Sequence, residues 1–304
     1  MEIISIDKDY LSKEETVIAL GNFDGVHRAH RVLLDRLLNM AKKNGLKSSI
    51  LIFKTHTKNT INNMNQKVLT SNRKKYELLE NLGVDLIYEM EFTKDVMKIK
   101  PNDFIENFLV NNLKIKGIVV GYDYRFGYKA QGDTELLKSF ACKNALDLSV
   151  VDKVAIDEHV VSSTRIRNLI SEGKIKEANG LLGYSYSMDC EVIHGKKLGS
   201  KMGFPTANLK FFTPYIIPKF GVYDSNIIIN KRTYKAATNI GKNPTIENSG
   251  IRIEAHILNF NKDIYGEKVE LELIDFIRPE ITFDNIDDLF KQIKSDIDLI
   301  ASRK

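Results

Sequence analysis

The sequence predicts a two-domain protein in which an α/β domain with a parallel sheet, residues 1–184, precedes a small antiparallel β-barrel, residues 185–304. Three observations support this prediction. A chain of 304 residues exceeds the length at which a single hydrophobic core usually stops growing. Between Thr16 and about Val154, β-branched runs alternate with amphipathic stretches, which is typical of a doubly wound parallel sheet. From Ser187 onward one predicted strand follows another, which favours a small barrel.

The predicted strands of the first domain are short and rich in β-branched residues. They are TVIALGNF from Thr16, SSILIF from Ser48, VDLIYEME from Val84, KGIVVGY from Lys116 and LSVVDKV from Leu148. Helices are predicted between them, because apolar residues recur every three or four positions around Leu33, Leu79 and Ile105. The Asn- and Lys-rich tract 58–67 has little apolar content, and we expect it to be a mobile loop.

The second domain is predicted to follow two helical segments, SSTRIRNLISEGK from Ser162 and IKEANGLLG from Ile175, and we place the domain boundary near residue 184. Its strands are MDCEVIHG, GVYDSNIII, RTYKAATNIG, IRIEAHIL and KVELELIDF, separated by Gly, Asn and Pro turn residues. A helix from Asp284 to about Ile300 ends the chain.

Composition limits the classes of function. The net charge of +5, from 45 Lys and Arg against 40 Asp and Glu, fits phosphorylated small molecules as well as nucleic acid and is too small to decide between them. We expect small molecules, and not nucleic acid, as partners. The two cysteines, Cys142 and Cys190, match no metal or disulfide pattern, and no apolar run approaches membrane-spanning length. We therefore expect a soluble cytoplasmic protein without a membrane partner, and a homo-oligomer stays open.

The segment GNFDGVHRAH, Gly21 to His30, follows the first predicted strand and leads into a helix. Its two histidines, His27 and His30, together with the backbone N–H groups of a helix start, can face one anionic ligand such as a triphosphate. Adenylyl transfer needs such donors where negative charge develops on the phosphates. On their own, the two histidines are equally compatible with polar residues that cap a helix.

A second candidate phosphate segment is VSSTRIR, Val161 to Arg167. Hydroxyls and N–H groups at a helix start bind phosphate well, and arginine adds a fixed fork of donors. Taken alone, such a run of hydroxyls is more often just an N-cap. The segment GYDYRFGYKAQGD, from Gly121, is a glycine-flanked aromatic loop after a strand, which ordinary loop packing also explains.

In the second domain, HGKKLGSKMGFPTANL, His194 to Leu209, combines three glycines with three lysines and a Pro-Thr-Ala-Asn turn. Glycines let the backbone approach phosphate oxygens, and Thr206 and Asn208 offer neutral oxygen ligands that Mg²⁺ accepts. By composition alone, a glycine-rich hairpin with solvated lysines is the more common structure.

The pairing of GNFDGVHRAH with VSSTRIR resembles the His-x-Gly-His and Ile-Ser-Ser-Thr-x-Ile-Arg motifs of nucleotidyltransferases, and the flanking residues resemble prokaryotic bifunctional riboflavin kinase/FAD synthetases. The resemblance implies a Rossmann-like nucleotidyltransferase domain that forms FAD from FMN and ATP. By the same resemblance, an ATP set and a flavin set are expected. The ATP set is Gly21, Asn22, Phe23, His27, His30, Ser163, Thr164 and Arg167, with both histidines catalytic, and the flavin set is Asp123, Arg125 and Phe126.

The C-terminal half is similar to the riboflavin kinase module of the same family. GFPTAN from Gly203, GVY from Gly221, NIGKNPT from Asn239, IEAHILNF from Ile253, DIYG from Asp263 and FIRPEITF from Phe276 occur in the family's order. The resemblance implies phosphorylation of riboflavin to FMN with Glu254 as general base. It also implies ATP contacts at Gly195, Gly203, Thr206 and Asn208, Mg²⁺ on Thr206 and Asn208, and a flavin contact at Arg278, for which a salt bridge is an equal alternative.

Several residues depart from the family pattern. Ala29 replaces the glycine of His-x-Gly-His, Lys54, Thr55 and Thr57 replace an acidic residue and two prolines after the second strand, and Ser200 replaces an arginine. Two alternatives to the bifunctional enzyme therefore stay open. One is a protein with a single active module, either FMN adenylyltransferase or riboflavin kinase. The other is a flavin-sensing or RNA-binding regulator that retains the fold.

Overall fold

The computed structural model describes residues 1–54, 67–195, 203–242 and 250–303. Within these residues the chain forms two compact units. The first unit contains the residues before Ser163 except Lys67–Ser71, and the second contains Lys67–Ser71 and the residues from Ser163 onward. The tract 58–67, for which we expect a mobile loop, lies outside the described residues except for Lys67.

A parallel sheet forms the centre of the first unit. Its described strands are β1 Glu2–Ile6, β2 Thr16–Leu20, β3 Lys47–Phe53, β4 Leu86–Met90, β5 Ile115–Gly121 and β6 Asp147–Val151. Their order is β1-β4-β3-β2-β5-β6, and every neighbouring pair is parallel. β2 is buried along its whole length, as expected for a strand covered on both faces of the sheet. The predicted parallel α/β architecture is therefore confirmed.

The strand order reverses at β2. The chain continues from β2 to β3 and β4 on one side of the sheet, and later returns to β5 on the other side. Leu20, the last residue of β2, is in register with Val120 near the end of β5. The segments that begin at Gly21 and Tyr122 therefore start side by side at the carboxyl edge of the sheet. Open α/β sheets bind ligands in the crevice at such a reversal.

Helices cover both faces of this sheet. They include α1 Arg28–Asn44, α2 Asn72–Asn81 and α3 Thr134–Asn144. One hydrophobic cluster contains Leu34 and Leu37 of α1, and a second contains Ile105 and its neighbours. The stretch around Ile105 is a π-helix, Phe104–Asn112, and not the 3.6-residue helix that its spacing predicts. Its wider turn is visible where the N–H of Leu113 donates to the carbonyl of Phe108, 3.0 Å away.

The second unit is a closed antiparallel barrel, as predicted. Its described strands are β9 Tyr186–Ile193, β10 Ala207–Lys210, β11 Gly221–Ile229, β12 Arg232–Lys242, β13 Ile251–Ile257 and β14 Lys268–Arg278, and their order is β10-β13-β12-β11-β14-β9. The short strands β7 Ala155–Ile156 and β8 His159–Val160 form a separate pair in the first unit. Helices α4 Ser163–Glu172, α5 Ile175–Leu182 and α6 Ile286–Ser302 belong to the second unit.

The two units divide at Ser162, whereas the sequence places the division near residue 184. The difference is the helix pair α4 and α5, which groups with the barrel. Asn179 of α5 explains this grouping, because its side chain donates to the carbonyl of Leu273 at 2.9 Å and accepts from the N–H of Tyr186 at 2.7 Å. Lys176 also pairs with Asp275 at 3.0 Å. Such long-range contacts leave no local pattern in the sequence.

Several of the described elements were not predicted, among them β1, β10 and α3. β1 is only five residues long, and it pairs along its whole length with β4, from Glu2 opposite Leu86 to Ile6 opposite Met90. The predicted Pro-Thr-Ala-Asn turn is wrong at its second half, since Ala207 and Asn208 lie in β10. β10 is hydrogen-bonded to both β9 and β13, so its conformation is imposed by distant strands.

We predict that Gly221→Ala destabilises the second unit by about 2 kcal/mol or more, because it combines overpacking with backbone strain. Gly221 has a φ of 152°, and a methyl group there would overlap the carbonyl oxygen of Arg278. Urea unfolding measures the change. Gly180→Ala in α5 is the control, since a methyl group at Gly180 meets no atom within 4 Å, and it should leave stability equal or slightly higher. Equal stability of the two variants would contradict the prediction.

Candidate active sites

The turn after β2 brings two histidine rings into contact. His27 caps α1, and its Nδ1 accepts a hydrogen bond from the backbone N–H of His30 at 3.3 Å. The rings are stacked with their centroids 3.7 Å apart. Phe23 and Val26 have φ values of 47° and 34°, which are strained for residues with a side chain. Strain of this kind is concentrated at ligand-binding and catalytic sites.

The electrostatics of this turn are unusual. The Nδ1 of His30 is buried and has no hydrogen-bond partner among the described residues. Burial, followed by the neighbouring His27 and Lys75, lowers the pKa of His30 well below its ordinary value. His30 is therefore a neutral imidazole at neutral pH, able to donate one hydrogen bond but carrying no charge.

Lys75 of α2 is a charged residue at this turn that the sequence analysis missed. It is 7 % exposed, and its Nζ donates to the carbonyl oxygen of Asn22 at 3.4 Å. The only signal in the sequence is its spacing, because Lys75 lies four residues before the buried Leu79 and so on the inner face of α2. A lysine within a run of charged residues is normally interpreted as solvent-exposed, so the spacing alone does not distinguish Lys75 from its neighbours.

The remaining residues of the predicted ATP set fall in two places. Gly21 and Asn22 lie in the turn after β2, and Phe23 is fully buried in the hydrophobic cluster of α1, with its ring 5.2 Å from that of His30. The other three, Ser163, Thr164 and Arg167, lie in the first two turns of α4 and belong to the second unit. There the Nε of Arg167 donates to the carbonyl of Lys67 at 3.0 Å.

The predicted flavin-side loop follows β5. Asp123 and Arg125 are exposed, and Arg125 pairs with Asp133 at 3.4 Å. Phe126 differs, because its ring is buried among aromatic side chains and stacks on Tyr124 with centroids 5.7 Å apart. The structure thus places Asp123 and Arg125 within reach of solvent at the crevice edge, while Phe126 supports the loop from the core.

Lys54, one of the departures from the family pattern, is partnered within the sheet. Its Nζ lies 3.5 Å from a carboxylate oxygen of Glu89 on β4, and the other Glu89 oxygen accepts a short hydrogen bond from Tyr76. The positive charge of Lys54 is therefore balanced locally. Thr55 and Thr57 lie outside the described residues.

The second candidate site is a cavity of about 670 Å³ in the second unit. Its volume is in the range of pockets that hold small organic ligands. Five residues singled out in the sequence line this cavity, namely Gly195, Thr206, Asn208, Glu254 and Arg278. Gly203 does not line it, and Lys196, Lys197, Ser200 and Lys201 lie outside the described residues.

Strand pairing explains how these residues meet. Asn208 of β10 lies opposite Glu254 of β13, and Glu254 lies opposite Asn239 of β12. A methyl group on Gly195 would overlap the side-chain amide of Asn208, so glycine is required for this close approach. Arg252 adds positive charge, with its Nε 3.9 Å from Glu254 and an Nη 3.5 Å from Glu280. The cavity therefore contains a carboxylate beside hydroxyl, amide and guanidinium groups.

Arg278 is held by helix α6. Its Nε and one Nη donate to the carboxylate of Asp296 at distances of 2.7 to 3.0 Å, and Gln292 donates to the same carboxylate at 2.9 Å. Asp296 is 5 % exposed. The salt bridge considered as an alternative for Arg278 is therefore present. Because Arg278 also lines the cavity, it is fixed by α6 and can still face a ligand.

Comparison with known proteins matches both units. The model of the family described as FAD synthetase matches residues 10–165, and the model described as riboflavin kinase matches residues 182–303. A bifunctional riboflavin kinase/FMN adenylyltransferase from Listeria monocytogenes is 38% identical over 92% of this chain and 90% of its own length. The chain belongs to the bifunctional riboflavin kinase/FMN adenylyltransferase family. A family member from Bacillus subtilis is 30% identical over 94% of this chain and 93% of its own.

A solved structure from Streptococcus pneumoniae has the same fold as this family member. It is 30% identical, covers 99% of both chains and has a TM-score of 0.91. The description of that solved structure is macrolide-efflux protein. Within the described ranges, no helix is long and apolar enough to cross a membrane.

The depressed pKa of His30 predicts a pH-dependent stability of the first unit. An unfolded histidine has a pKa of about 6.5, so below that pH the unfolded chain binds more protons than the folded one. The free energy of unfolding should fall as pH decreases from 7 to 5, with a slope from this group of at most about 1.4 kcal/mol per pH unit. His30→Gln should flatten this dependence in urea unfolding. His159→Gln, at an exposed histidine, should not. Identical profiles for the two variants would contradict the assignment.

The buried pair of Arg278 and Asp296 predicts a large effect of removing one partner. Asp296→Ala leaves a largely buried guanidinium without its carboxylate and should destabilise the second unit by about 3–5 kcal/mol. The shift of the urea midpoint of that unit measures this. Asp298→Ala, at an exposed position on the same helix, should change stability by no more than about 0.5 kcal/mol. A small effect at Asp296 would mean that α6 is not fixed through Arg278.

Proposed function

We propose that the two units catalyse successive steps of FAD synthesis, with the residues described above as their machinery. The second unit phosphorylates riboflavin to FMN with ATP, and the first transfers the adenylyl group of a second ATP to FMN, releasing pyrophosphate. The observation that supports this most directly is the cavity of the second unit, which brings Thr206, directly before β10, and Asn208 of β10 together with Glu254 of β13. The matches of both family models support the pairing of the two activities.

In the kinase step, Glu254 is the general base. The primary hydroxyl of riboflavin attacks the γ-phosphate of ATP, its proton passes to the Glu254 carboxylate, and the bond from the γ-phosphorus to the bridging oxygen breaks to release ADP. The carboxylate lies at the cavity wall and is half-buried, so it can reach a bound hydroxyl. Arg252 and Arg278 line the same cavity and supply positive charge near the phosphates.

The residues present fit a magnesium ion in this cavity. Within the described part of the chain, no cluster of three or more His, Cys, Asp or Glu is arranged to hold a metal ion. Mg²⁺, however, binds through a few oxygen ligands and retains waters and substrate phosphates. Thr206 and Asn208 offer a hydroxyl and an amide oxygen on the cavity wall, and they would hold the ion. When bound, it neutralises phosphate charge.

In the adenylyl-transfer step, the phosphate of FMN attacks the α-phosphate of ATP and pyrophosphate leaves. His27 and His30 bind the triphosphate at the start of α1, where helix N–H groups also favour anions. Because His30 is neutral, it contributes hydrogen bonding and not charge. We assign Asp123 and Arg125 to the flavin side, with Phe126 packed in the core of their loop. The assignment of Ser163, Thr164 and Arg167 to ATP rests on the family resemblance alone.

We place the protein in the cytoplasm. Both cysteines are free, and Cys142 is exposed while Cys190 is buried. Burial raises the pKa of Cys190 to about 12, so its thiol stays protonated and unreactive. A chain with one free exposed thiol and no disulfide is typical of a reducing compartment.

Two variants separate the two activities. Glu254→Gln removes the base with little change of shape and should abolish FMN formation from riboflavin, while FAD formation from added FMN persists. His30→Ala should lower only FAD formation. The measurement is chromatographic separation of flavins after incubation with ATP and Mg²⁺. The control is Glu267→Gln, at an exposed site outside the cavity, which should retain both activities.

Other outcomes would favour the alternatives. If the unmodified chain forms only FMN or only FAD, one module is inactive, and the bifunctional proposal fails. If it forms neither but binds RNA with steep salt dependence, the regulator is favoured. Loss of both activities in Glu254→Gln would contradict two independent sites.

A further inference from the structure

A buried lysine lies against the adenylyl-transfer turn and has no role in the reaction as described so far. Lys75 is one of the two buried residues of α2, the other being Leu79. Its neighbour Arg73 is exposed, and Arg73 and Lys74 both pair with Glu77, at 2.9 and 3.3 Å. Lys75 points instead to the turn and donates to the carbonyl of Asn22.

The burial of the Lys75 ammonium group is unfavourable for the stability of the folded chain. Burying an ammonium group costs several kcal/mol unless it is well paired and hydrogen-bonded. The bond from Lys75 to the Asn22 carbonyl is long, at 3.4 Å, and its acceptor is uncharged. Burial lowers the pKa of Lys75, and the attraction of Asp24 opposes this shift. A buried and poorly paired ionisable group beside a crevice is a candidate functional group.

The turn needs the charge that Lys75 brings. A triphosphate carries several negative charges, and the departure of its β- and γ-phosphates as pyrophosphate requires positive potential at the site. His30 is neutral, because burial, His27 and Lys75 all oppose its protonation. Among the described residues, the charged or titratable groups that act on His30 are His27 on its own turn and Lys75 on α2, and Asp24 acts electrostatically on Lys75. Of these, Lys75 is the group whose ordinary state is cationic.

We propose that Lys75 is an electrostatic positioning residue of the adenylyl-transfer site, whose ammonium charge acts on the triphosphate bound at His27 and His30. This inference rests on the proposed function of the first unit. Lys75 is buried in surroundings of low dielectric constant, which strengthen the interaction of its charge with a nearby phosphate. The charge also keeps His30 a neutral hydrogen-bond donor, so that one lysine sets both the potential and the protonation state of the turn.

The test is Lys75→Met, which keeps the length and apolar stem of the side chain and removes its charge. We expect kcat/KM for ATP in FAD formation to fall by about 100-fold, comparable to loss of one preorganised donor. Binding of pyrophosphate, followed by calorimetry, should weaken at least about 10-fold. FMN formation from riboflavin should not change, because it takes place in the other unit. Lys75→Arg should recover part of the activity.

Two readouts separate this role from a structural one. Removing a poorly paired buried charge should leave the thermal midpoint equal or raise it, whereas a structural lysine would lower it. The ring of His30, followed by NMR titration, should show a higher pKa in Lys75→Met, because one of the charges that oppose its protonation is gone. Arg73→Met, which removes a cation from the outer face of the same helix, should change neither activity nor the titration of His30.

The outcomes are distinguishable from failure of the proposed function. If the unmodified chain makes FAD and Lys75→Met makes it with the same kcat/KM, the inference alone is overturned. A parallel loss of activity and thermal midpoint would also overturn it, since that result assigns Lys75 to the core. If the unmodified chain makes no FAD, the proposed function of the first unit fails and the inference fails with it.

Discussion

Hydrogen bonding between strands that are distant in the sequence fixes both candidate sites. In the first unit, the register of β2 with β5 sets Leu20 beside Val120, so the two loops that follow begin together at one edge of the sheet. In the second, the register of β10 with β13 sets Asn208 opposite Glu254. A shift of one residue would turn each side chain to the other face of its strand. The positions of the chemical groups therefore depend on register before they depend on any side-chain contact.

The two sites handle charge in different ways. The barrel cavity holds charged groups that are paired but partly open to solvent, with Arg252 between two carboxylates and Arg278 fixed by Asp296. The turn after β2 is drier, and there burial makes His30 neutral and lowers the pKa of Lys75. Moving a phosphoryl or adenylyl group depends mainly on positioning and electrostatic stabilisation, and both environments provide fixed groups for this.

The departures from the family pattern that the structure describes are accommodated locally. Lys54 is neutralised by Glu89, which also binds Tyr76, so the charge reversal at the end of β3 is absorbed within the sheet. Ala29 lies in the first turn of α1 and is partly exposed, and the stacking of the histidines on either side of it is intact. These positions retain the architecture of the turn although its residues differ.

The sequence by itself determined the two architectures and the ordered motifs that contain the candidate site residues, because strand and helix periodicity and the residues of the GNFDGVHRAH and GFPTAN segments are local properties. It also gave the boundaries of β11 as GVYDSNIII. Only the tertiary structure decided that β1 and β10 are strands, that α4 and α5 pack with the barrel, and that Lys75 faces inward. Each of these depends on partners far away along the chain, and hydrogen bonds and burial between distant segments leave no periodic trace in the sequence.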